Sequence, residues 1–176
     1  MNIVLFQPEI PQNTGNIMRT CAGTNVKLHL IKPLGFSLDE KHIKRSGVNY
    51  IDYCDYTVYE NFNDFLSKNK GEYYFLTRYG TKPHTEFDFS NKNTNIYLIF
   101  GKDDYIMFGK ESAGIPEEIL VDNEETCIRI PMLDKIRSLN LSNSVAIVLY
   151  EALRQTGFES MSLEGDLHRL SWKSEE

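Results

Sequence analysis

The sequence predicts a single α/β domain with a mostly parallel sheet flanked by helices. Two observations lead to this fold class. Short apolar runs of strand length alternate with helical segments along the chain, which is typical of parallel sheets. The 176 residues suffice for one hydrophobic core and leave no room for a second full-sized one. We therefore expect one compact domain.

The first half begins with a strand at Asn2–Phe6. Pro8 and Pro11 favour a loop after it, and a helical pattern starts at Thr14, with Asn13 or Thr14 as the N-cap. The further elements expected in this half are strands at 26–31, 56–59 and 73–78 and helices at 39–46 and 61–68.

The second half opens with a polar loop over residues 80–95. The elements expected after it are strands at 96–100, 105–108 and 127–130 and a helix at 116–121. The longest helix spans 142–155, with Ser142 as its cap and Gly157 as its stop. We assign residues 1–157 to the domain and residues 158–176 to a polar C-terminal tail.

Composition excludes several classes of protein. No apolar run reaches the roughly 18 residues that a membrane span needs, and the first residues lack the order of a signal peptide. We therefore expect a cytoplasmic protein with no membrane partner. The three cysteines and four histidines are scattered, without disulfide or metal-ligand spacing, so we also expect no metal site.

The charge distribution leaves an RNA partner possible. A net charge of −6 argues against a nucleic-acid partner, yet residues 1–50 hold six Lys/Arg against three Asp/Glu. Lys41, His42, Lys44 and Arg45 lie close together in this part. A solvated helix face would also explain that cluster. An RNA enzyme with a small, local footprint remains compatible with the charges.

Three polar-rich segments each follow a predicted strand, where open α/β sheets place their ligands. They are Asn13-Thr14-Gly15-Asn16 with Arg19, the glycine-containing stretch 108–116, and the stretch 130–143 with Arg137, Ser138 and Asn140. Taken singly, each segment also fits a helix cap or a structural turn. None carries the three-glycine fingerprint of a dinucleotide fold, so a nicotinamide-dependent enzyme is a distant alternative.

Together the three segments resemble the ordered motifs of the SpoU branch of the SPOUT methyltransferases. The likeness is closest to the TrmL subfamily of tRNA 2′-O-methyltransferases, which is also marked by the opening at residues 8–16 and the helix segment at 149–155. It extends over about residues 2–157. One departure is an extra stretch near Ile96–Asp103, which makes the path into the second motif less direct.

The resemblance implies a C-terminal trefoil knot, a homodimer and S-adenosylmethionine bound in the knot. The matched cofactor-binding residues are Leu76, Gly109, Ile130 and Ser138, and the matched active-site residues are Arg19, Glu111, Ser138 and Asn140. The implied reaction is methyl transfer to a ribose 2′-hydroxyl of tRNA, at the wobble pyrimidine (position 34). The alternatives are a 2′-O-methyltransferase acting on ribosomal RNA and a non-catalytic RNA-binding protein with this fold.

Overall fold

The computed structural model describes residues 1–38, 51–89 and 103–172. Seven strands among them form one sheet: β1 (Asn2–Phe6), β2 (Lys27–Ile31), β3 (Tyr56–Tyr59), β4 (Tyr73–Leu76), β5 (Lys82–Pro83), β6 (Tyr105–Phe108) and β7 (Cys127–Arg129). The strand order is β3-β2-β1-β6-β4-β7-β5. Each of these neighbouring strand pairs is parallel. The predicted α/β class with a parallel sheet is confirmed.

Helices cover both faces of the sheet. They are α1 (Pro11–Thr24), α2 (Phe62–Lys68), α3 (Glu117–Leu120) and α4 (Leu141–Gln155), with short 3-10 turns at Ile51–Tyr53, His84–Glu86 and Glu124–Thr126. One core cluster holds the buried residues of α1 and α4, and a second holds those of α2 and α3. The sheet therefore lies between two helical layers.

The central strands are apolar on both faces because both faces are covered. In β1, Ile3 and Leu5 belong to the core cluster of α1 and α4, whereas Val4 and Phe6 belong to the other cluster. A strand buried on both sides reads as a continuous apolar run, without an alternating pattern. This is why Asn2–Phe6 could be predicted as a strand but not oriented from the sequence.

Helix α1 begins earlier than predicted. It starts at Pro11, three residues before Thr14, and its N-cap residue is Ile10, which makes no side-chain capping bond. Proline fits the first position of a helix because that position needs no N–H donor and its φ is already helical. Taking Pro11 as a loop residue was wrong, and Asn13 is a buried residue inside the helix rather than its cap.

The cap of α4 also differs from the prediction. The side chain of Asn140 caps this helix, with its Oδ1 accepting hydrogen bonds from the backbone N–H of Ser142 at 2.9 Å and of Asn143 at 3.4 Å. Ser142 is therefore not the cap, although its hydroxyl donates to the same oxygen at 2.7 Å. The helix ends at Gln155, as expected.

The segment after β4 contains structure that the sequence did not reveal. β4 ends at Leu76 rather than at residue 78, and the predicted loop over 80–95 contains β5, which pairs with β7. A two-residue edge strand with a proline has almost no sequence signature, since only an edge tolerates the missing donor. The predicted strands at 56–59 and 105–108 have the expected bounds.

Some predictions concern residues outside the described ranges. These are the helix at 39–46, the basic cluster within it, the strand at 96–100 and most of the extra stretch up to Asp103. Within the described residues, no helix combines the length and apolar character that crossing a bilayer requires. The three cysteines are buried free thiols. The described part of the chain contains no group of His, Cys, Asp and Glu suited to a metal ion.

Candidate active site at the carboxyl end of the sheet

A cavity of about 390 Å³ lies where β4, β6 and β7 end. Leu76 ends β4, Phe108 ends β6 and Ile130 follows β7, and all three line the cavity. Parallel α/β sheets bind ligands beyond the carboxyl ends of their strands, because the loops there converge. The position agrees with a ligand site, and its lining draws on all three of the polar-rich segments.

One wall of the cavity is apolar. Leu76, Ile130, Met132 and Leu139 all line it. Ile115 lies there too and is buried. A flat heteroaromatic ring bound here would lose its contact with water against aliphatic side chains, as small-molecule sites require.

The glycines of the second motif shape a closed loop. The backbone N–H of Gly114 donates to the carbonyl of Lys110 at 2.8 Å, and Gly114 has a φ of +75°. A Cβ on Gly109 would lie 2.1 Å from the carbonyl carbon of Gly114 and 2.3 Å from the nitrogen of Ile115. Gly109 lines the cavity, but glycine is required there because the loop folds back on its own backbone.

Glu111 holds this loop against the segment that precedes α1. Its carboxylate accepts hydrogen bonds from the backbone N–H of Glu9 at 2.8 Å, from that of Ile10 at 3.3 Å and from Asn13 Nδ2 at 2.9 Å. Three donors on one carboxylate fix the relative position of the two segments. The structure therefore gives Glu111 a positioning contact, whereas the sequence suggested an active-site role.

Glu9 returns the contact in the opposite direction. Its carboxylate accepts from both the backbone N–H and the hydroxyl of Ser112, each at 2.8 Å. These two hydrogen bonds lower the pKa of Glu9, because they stabilise the charged form. Glu9 and Glu111 thus clamp the two loops reciprocally. No local sequence pattern indicates this role of Glu9, because its partner lies 103 residues away.

Asn13 joins the three motifs. Its Nδ2 donates to Glu111 in the second motif, and its Oδ1 accepts from Asn140 Nδ2 in the third motif at 2.9 Å. Asn140 at the same time caps α4 through its own Oδ1. The side chain of Asn13 is nearly fully buried, so each of its hydrogen bonds resists replacement by water. From the sequence, Asn13 was predicted as a helix cap and as a member of the first motif, and neither prediction includes these two contacts.

Ser138 and Asn140 line the cavity, as do the other predicted cofactor residues, but Arg19 does not. Arg19 is an exposed residue of α1. It lies six residues after Asn13, about 9 Å farther along the helix axis at 1.5 Å per residue. The structure brings six of the seven predicted site residues together and places Arg19 on the outer surface of the same helix.

The cavity lining is electropositive although the chain carries a net charge of −6. Its charged members are Arg78, Lys110 and Arg137 against Glu111 alone, and Glu111 is engaged in the clamp. Such a local positive field attracts a polyanion at short range. No role was predicted for Arg78, because the sequence pattern places it at the end of a strand.

Comparisons with known proteins agree with this geometry. A relative from Listeria innocua is 49% identical over 98% of this chain and 98% of its own length. The tRNA (cytidine(34)-2′-O)-methyltransferase of Saccharophagus degradans is 44% identical over 89% of this chain and 96% of its own.

Solved structures give the same result. A structure described as an insight into 2-OH methylation of C/U34 on tRNA is 37% identical, covers 90% of this chain and 97% of its own, and superposes with a TM-score of 0.78. The SpoU methyltransferase AviRb from Streptomyces viridochromogenes, solved with the cofactor AdoMet, shares the fold at 19% identity, with a TM-score of 0.72 over 92% of this chain and 59% of its own. A family model matches residues 1–150, and the chain belongs to the SpoU rRNA Methylase family.

Proposed function

We propose that this protein transfers the methyl group of S-adenosylmethionine to the ribose 2′-hydroxyl of the wobble pyrimidine, nucleotide 34, of a tRNA. The observation that carries the proposal is the convergence of all three motifs on one cavity at the carboxyl end of the sheet. The substrate comes from the relatives, because a protein 44% identical over 96% of its length is named for methylation of cytidine 34.

The cavity fits the cofactor. Its volume of about 390 Å³ lies within the range of small-molecule sites, and its apolar wall suits an adenine ring. In our proposal the backbones of Leu76, Gly109, Ile130 and Ser138 hold the cofactor. When bound, S-adenosylmethionine supplies an electrophilic methyl carbon on a sulfonium centre. The rate of transfer then depends on how the chain places the ribose hydroxyl relative to that carbon.

We assign the remaining motif residues to placing and activating that hydroxyl. Ser138 is an exposed residue that lines the cavity, and Asn140, two residues farther along, is held by Asn13. Placement of this kind supplies a large part of an enzyme's acceleration. A guanidinium carries donors and no acceptor. In our proposal Arg19 therefore binds a substrate phosphate and stabilises the developing alkoxide, and it does not accept the proton.

We further propose that the active form is a homodimer that pairs through α1 and α4. The exposed residues of α4 form one stripe that includes Ile147, 38% exposed, and Tyr150, 47% exposed. The exposed stripe of α1 includes Arg19, and both helices lie on the same face of the sheet. A self-complementary pairing there would cover the apolar residues and place Arg19 at the interface. Light scattering should give a mass near twice 20.4 kDa.

Three further expectations complete the proposal. The catalytic domain is residues 1–157 and the tail is 158–176, the chain around the cavity is tied in a trefoil knot, and the protein acts in the cytoplasm, where its tRNA substrate occurs. The knot rests on the family resemblance, whereas the domain bounds and the location rest on the sequence patterns.

Labelled-methyl transfer tests the function directly. Purified protein, labelled S-adenosylmethionine and total tRNA are incubated, and the modified nucleotide is mapped. We expect label on the ribose of nucleotide 34 and none on ribosomal RNA under the same conditions. Methyl on a base, or only on ribosomal RNA, would overturn the substrate.

A further inference from the structure

The loop that follows β4 is fixed at its backbone. The N–H of Thr77 donates to the carbonyl of Ile128 at 3.0 Å, which ties the loop to β7. A Cβ on Gly80 would lie 2.8 Å from the carbonyl oxygen of Cys127, so the chain passes β7 too closely for any other residue. The segment between these two points is therefore held in one place along the strand.

Two more hydrogen bonds fix what lies between. The N–H of Tyr79 donates to Thr77 Oγ1 at 3.2 Å, and the guanidinium of Arg129 donates to the carbonyl of Arg78. With its backbone bonded in this way, the loop projects two adjacent side chains. A preformed loop loses little conformational entropy when a ligand binds to it.

The two side chains form a cation–aromatic pair at the cavity. The guanidinium carbon of Arg78 lies 5.0 Å from the centroid of the Tyr79 ring, and both residues line the cavity. Tyr79 is 57% exposed, so a large part of its surface is open to solvent. An exposed aromatic ring beside an arginine has the composition of a surface on which nucleobases stack.

We propose that Tyr79 and Arg78 form a stacking platform for a nucleobase of the substrate RNA. This inference rests on the proposed function and adds residues that recognise the RNA at that site. The ring of Tyr79 stacks on a base next to the methylated ribose, and Arg78 meets an adjacent phosphate. Lys110 and Arg137, which line the same cavity, extend the positive surface along the backbone.

The position of Tyr79 favours a base of the RNA over the adenine of the cofactor. The apolar wall that suits adenine is formed by Leu76, Ile130, Met132 and Leu139, which end or follow the strands. Tyr79 is exposed and lies three residues beyond the end of β4. A base that approaches from solvent reaches Tyr79 without entering the slot.

Three substitutions at one position test the platform. Tyr79→Ala removes the ring, Tyr79→Leu keeps apolar bulk without a π face, and Tyr79→Phe keeps the ring without the hydroxyl. Trp172→Ala is the control, because Trp172 is an aromatic residue 71% exposed and outside the cavity lining. The probe is an anticodon stem-loop with 2-aminopurine next to the target nucleotide, and S-adenosylmethionine affinity is measured separately by calorimetry.

We expect Tyr79→Ala and Tyr79→Leu to weaken RNA binding by roughly 5- to 100-fold, which is the contribution of one stacked base. Stacking on Tyr79 should quench the 2-aminopurine fluorescence in the parent complex, and these two variants should relieve that quenching. Tyr79→Phe and Trp172→Ala should bind RNA like the parent, and cofactor affinity should stay within about twofold throughout. RNA binding by Tyr79→Ala equal to that of the parent would overturn the platform. Weakened cofactor binding with unchanged RNA binding would assign the ring to the adenine instead.

Failure of the proposed function has a different signature. It appears in the parent protein, as methyl transfer to another RNA or to none. Failure of the platform appears only in the comparison of Tyr79→Ala with a parent that does methylate nucleotide 34.

Discussion

The two ends of the parallel sheet each carry a network of polar side chains, and the networks differ in what surrounds them. Towards the amino end, on the face covered by α2, His29 Nδ1 in the middle of β2 lies 2.8 Å from the hydroxyl of Tyr59, the last residue of β3. The hydroxyls of Tyr59 and of Tyr105, the first residue of β6, contact Asn69 Oδ1 at 3.2 and 3.4 Å. All four residues are buried, and the rings of Tyr59 and Tyr105 pack edge to face against Phe65.

At the carboxyl end, Glu111, Asn13 and Asn140 form a chain of similar bonds that borders the cavity. The hydrogen bonds of the amino-end network are all made within the core. The loops that carry the carboxyl-end network also line the cavity, where a ligand can bind. Hydrogen bonding alone does not distinguish a structural network from a functional one. The adjoining cavity does, and we expect substitutions to change stability at the amino end and activity at the carboxyl end.

The largest effect is expected from Arg19→Ala. In the proposed mechanism, loss of the guanidinium removes phosphate binding and alkoxide stabilisation, so the rate of methyl transfer should fall on the order of 10²-fold or more. Cofactor affinity should not change, because Arg19 does not line the cavity. Single-turnover methyl transfer and calorimetry measure the two quantities. Arg19→Lys, which keeps the charge and loses the planar fork, should fall between. An unimpaired Arg19→Ala enzyme would remove this residue from the mechanism.

The glycines of the second motif offer a matched pair at the carboxyl end. Gly109→Ala should weaken S-adenosylmethionine binding by more than about tenfold. The new Cβ would lie 2.1 Å from the carbonyl carbon of Gly114, so the loop would have to open, and the contacts that this loop makes along the cavity would be lost. Gly114→Ala meets no atom within 4 Å and carries only the cost of a φ of +75°, about 1 kcal/mol of stability. Calorimetry should separate the two variants, and equal cofactor affinities would contradict the role of loop closure.

Much of the fold could be predicted, and most of the site contacts could not. Strands such as Tyr105–Phe108 are apolar because they are buried on both faces, which a local pattern reveals. The clamp depends on pairs distant in sequence, such as Glu9 and Ser112, and no local pattern encodes them. Asn140 was recognised through motif resemblance, but its capping bond required the helix start to be known. Tyr79 was missed because it lies just past a strand end.

The amino end should show its structural role through pH. Burial lowers the pKa of His29 from 6.5 to about 4, because the charged form loses its hydration. In the unfolded chain His29 takes up its proton near pH 6.5, whereas in the folded chain it does so only near pH 4. Its contribution to the free energy of unfolding is therefore fully present above pH 6.5 and is lost as the pH falls towards 4. The free energy of unfolding should fall by about 3 kcal/mol across this window.

The control for that prediction is His29→Gln, which has no titratable group. Its free energy of unfolding, from denaturant titrations at pH 7, 5.5 and 4.5, should vary much less with pH between these values. Glu151, whose pKa is lowered to about 2 by the hydrogen bond from Arg154, loses its contribution mainly below about pH 4.5, which is the lowest pH of these titrations. A parent protein with constant stability from pH 7 to 4.5 would contradict the burial of a neutral imidazole.

The smallest effect on stability is expected at Asn140, whose side chain both caps α4 and belongs to the carboxyl-end network. Asn140→Ala should lower the free energy of unfolding by about 1 kcal/mol through loss of the cap, whereas Ser142→Ala, at the position that sequence alone selected, should change it by less than about 0.5 kcal/mol. Asn140→Asp separates the two roles: its carboxylate still caps α4, but it cannot donate to Asn13 Oδ1. We expect this variant to lose no more stability than Asn140→Ala, because the cap is kept, and to lose turnover, because Asn13 then faces two carboxylates with one amide group. Full turnover in Asn140→Asp would show that the carboxyl-end network, like the one at the amino end, serves only to hold the fold.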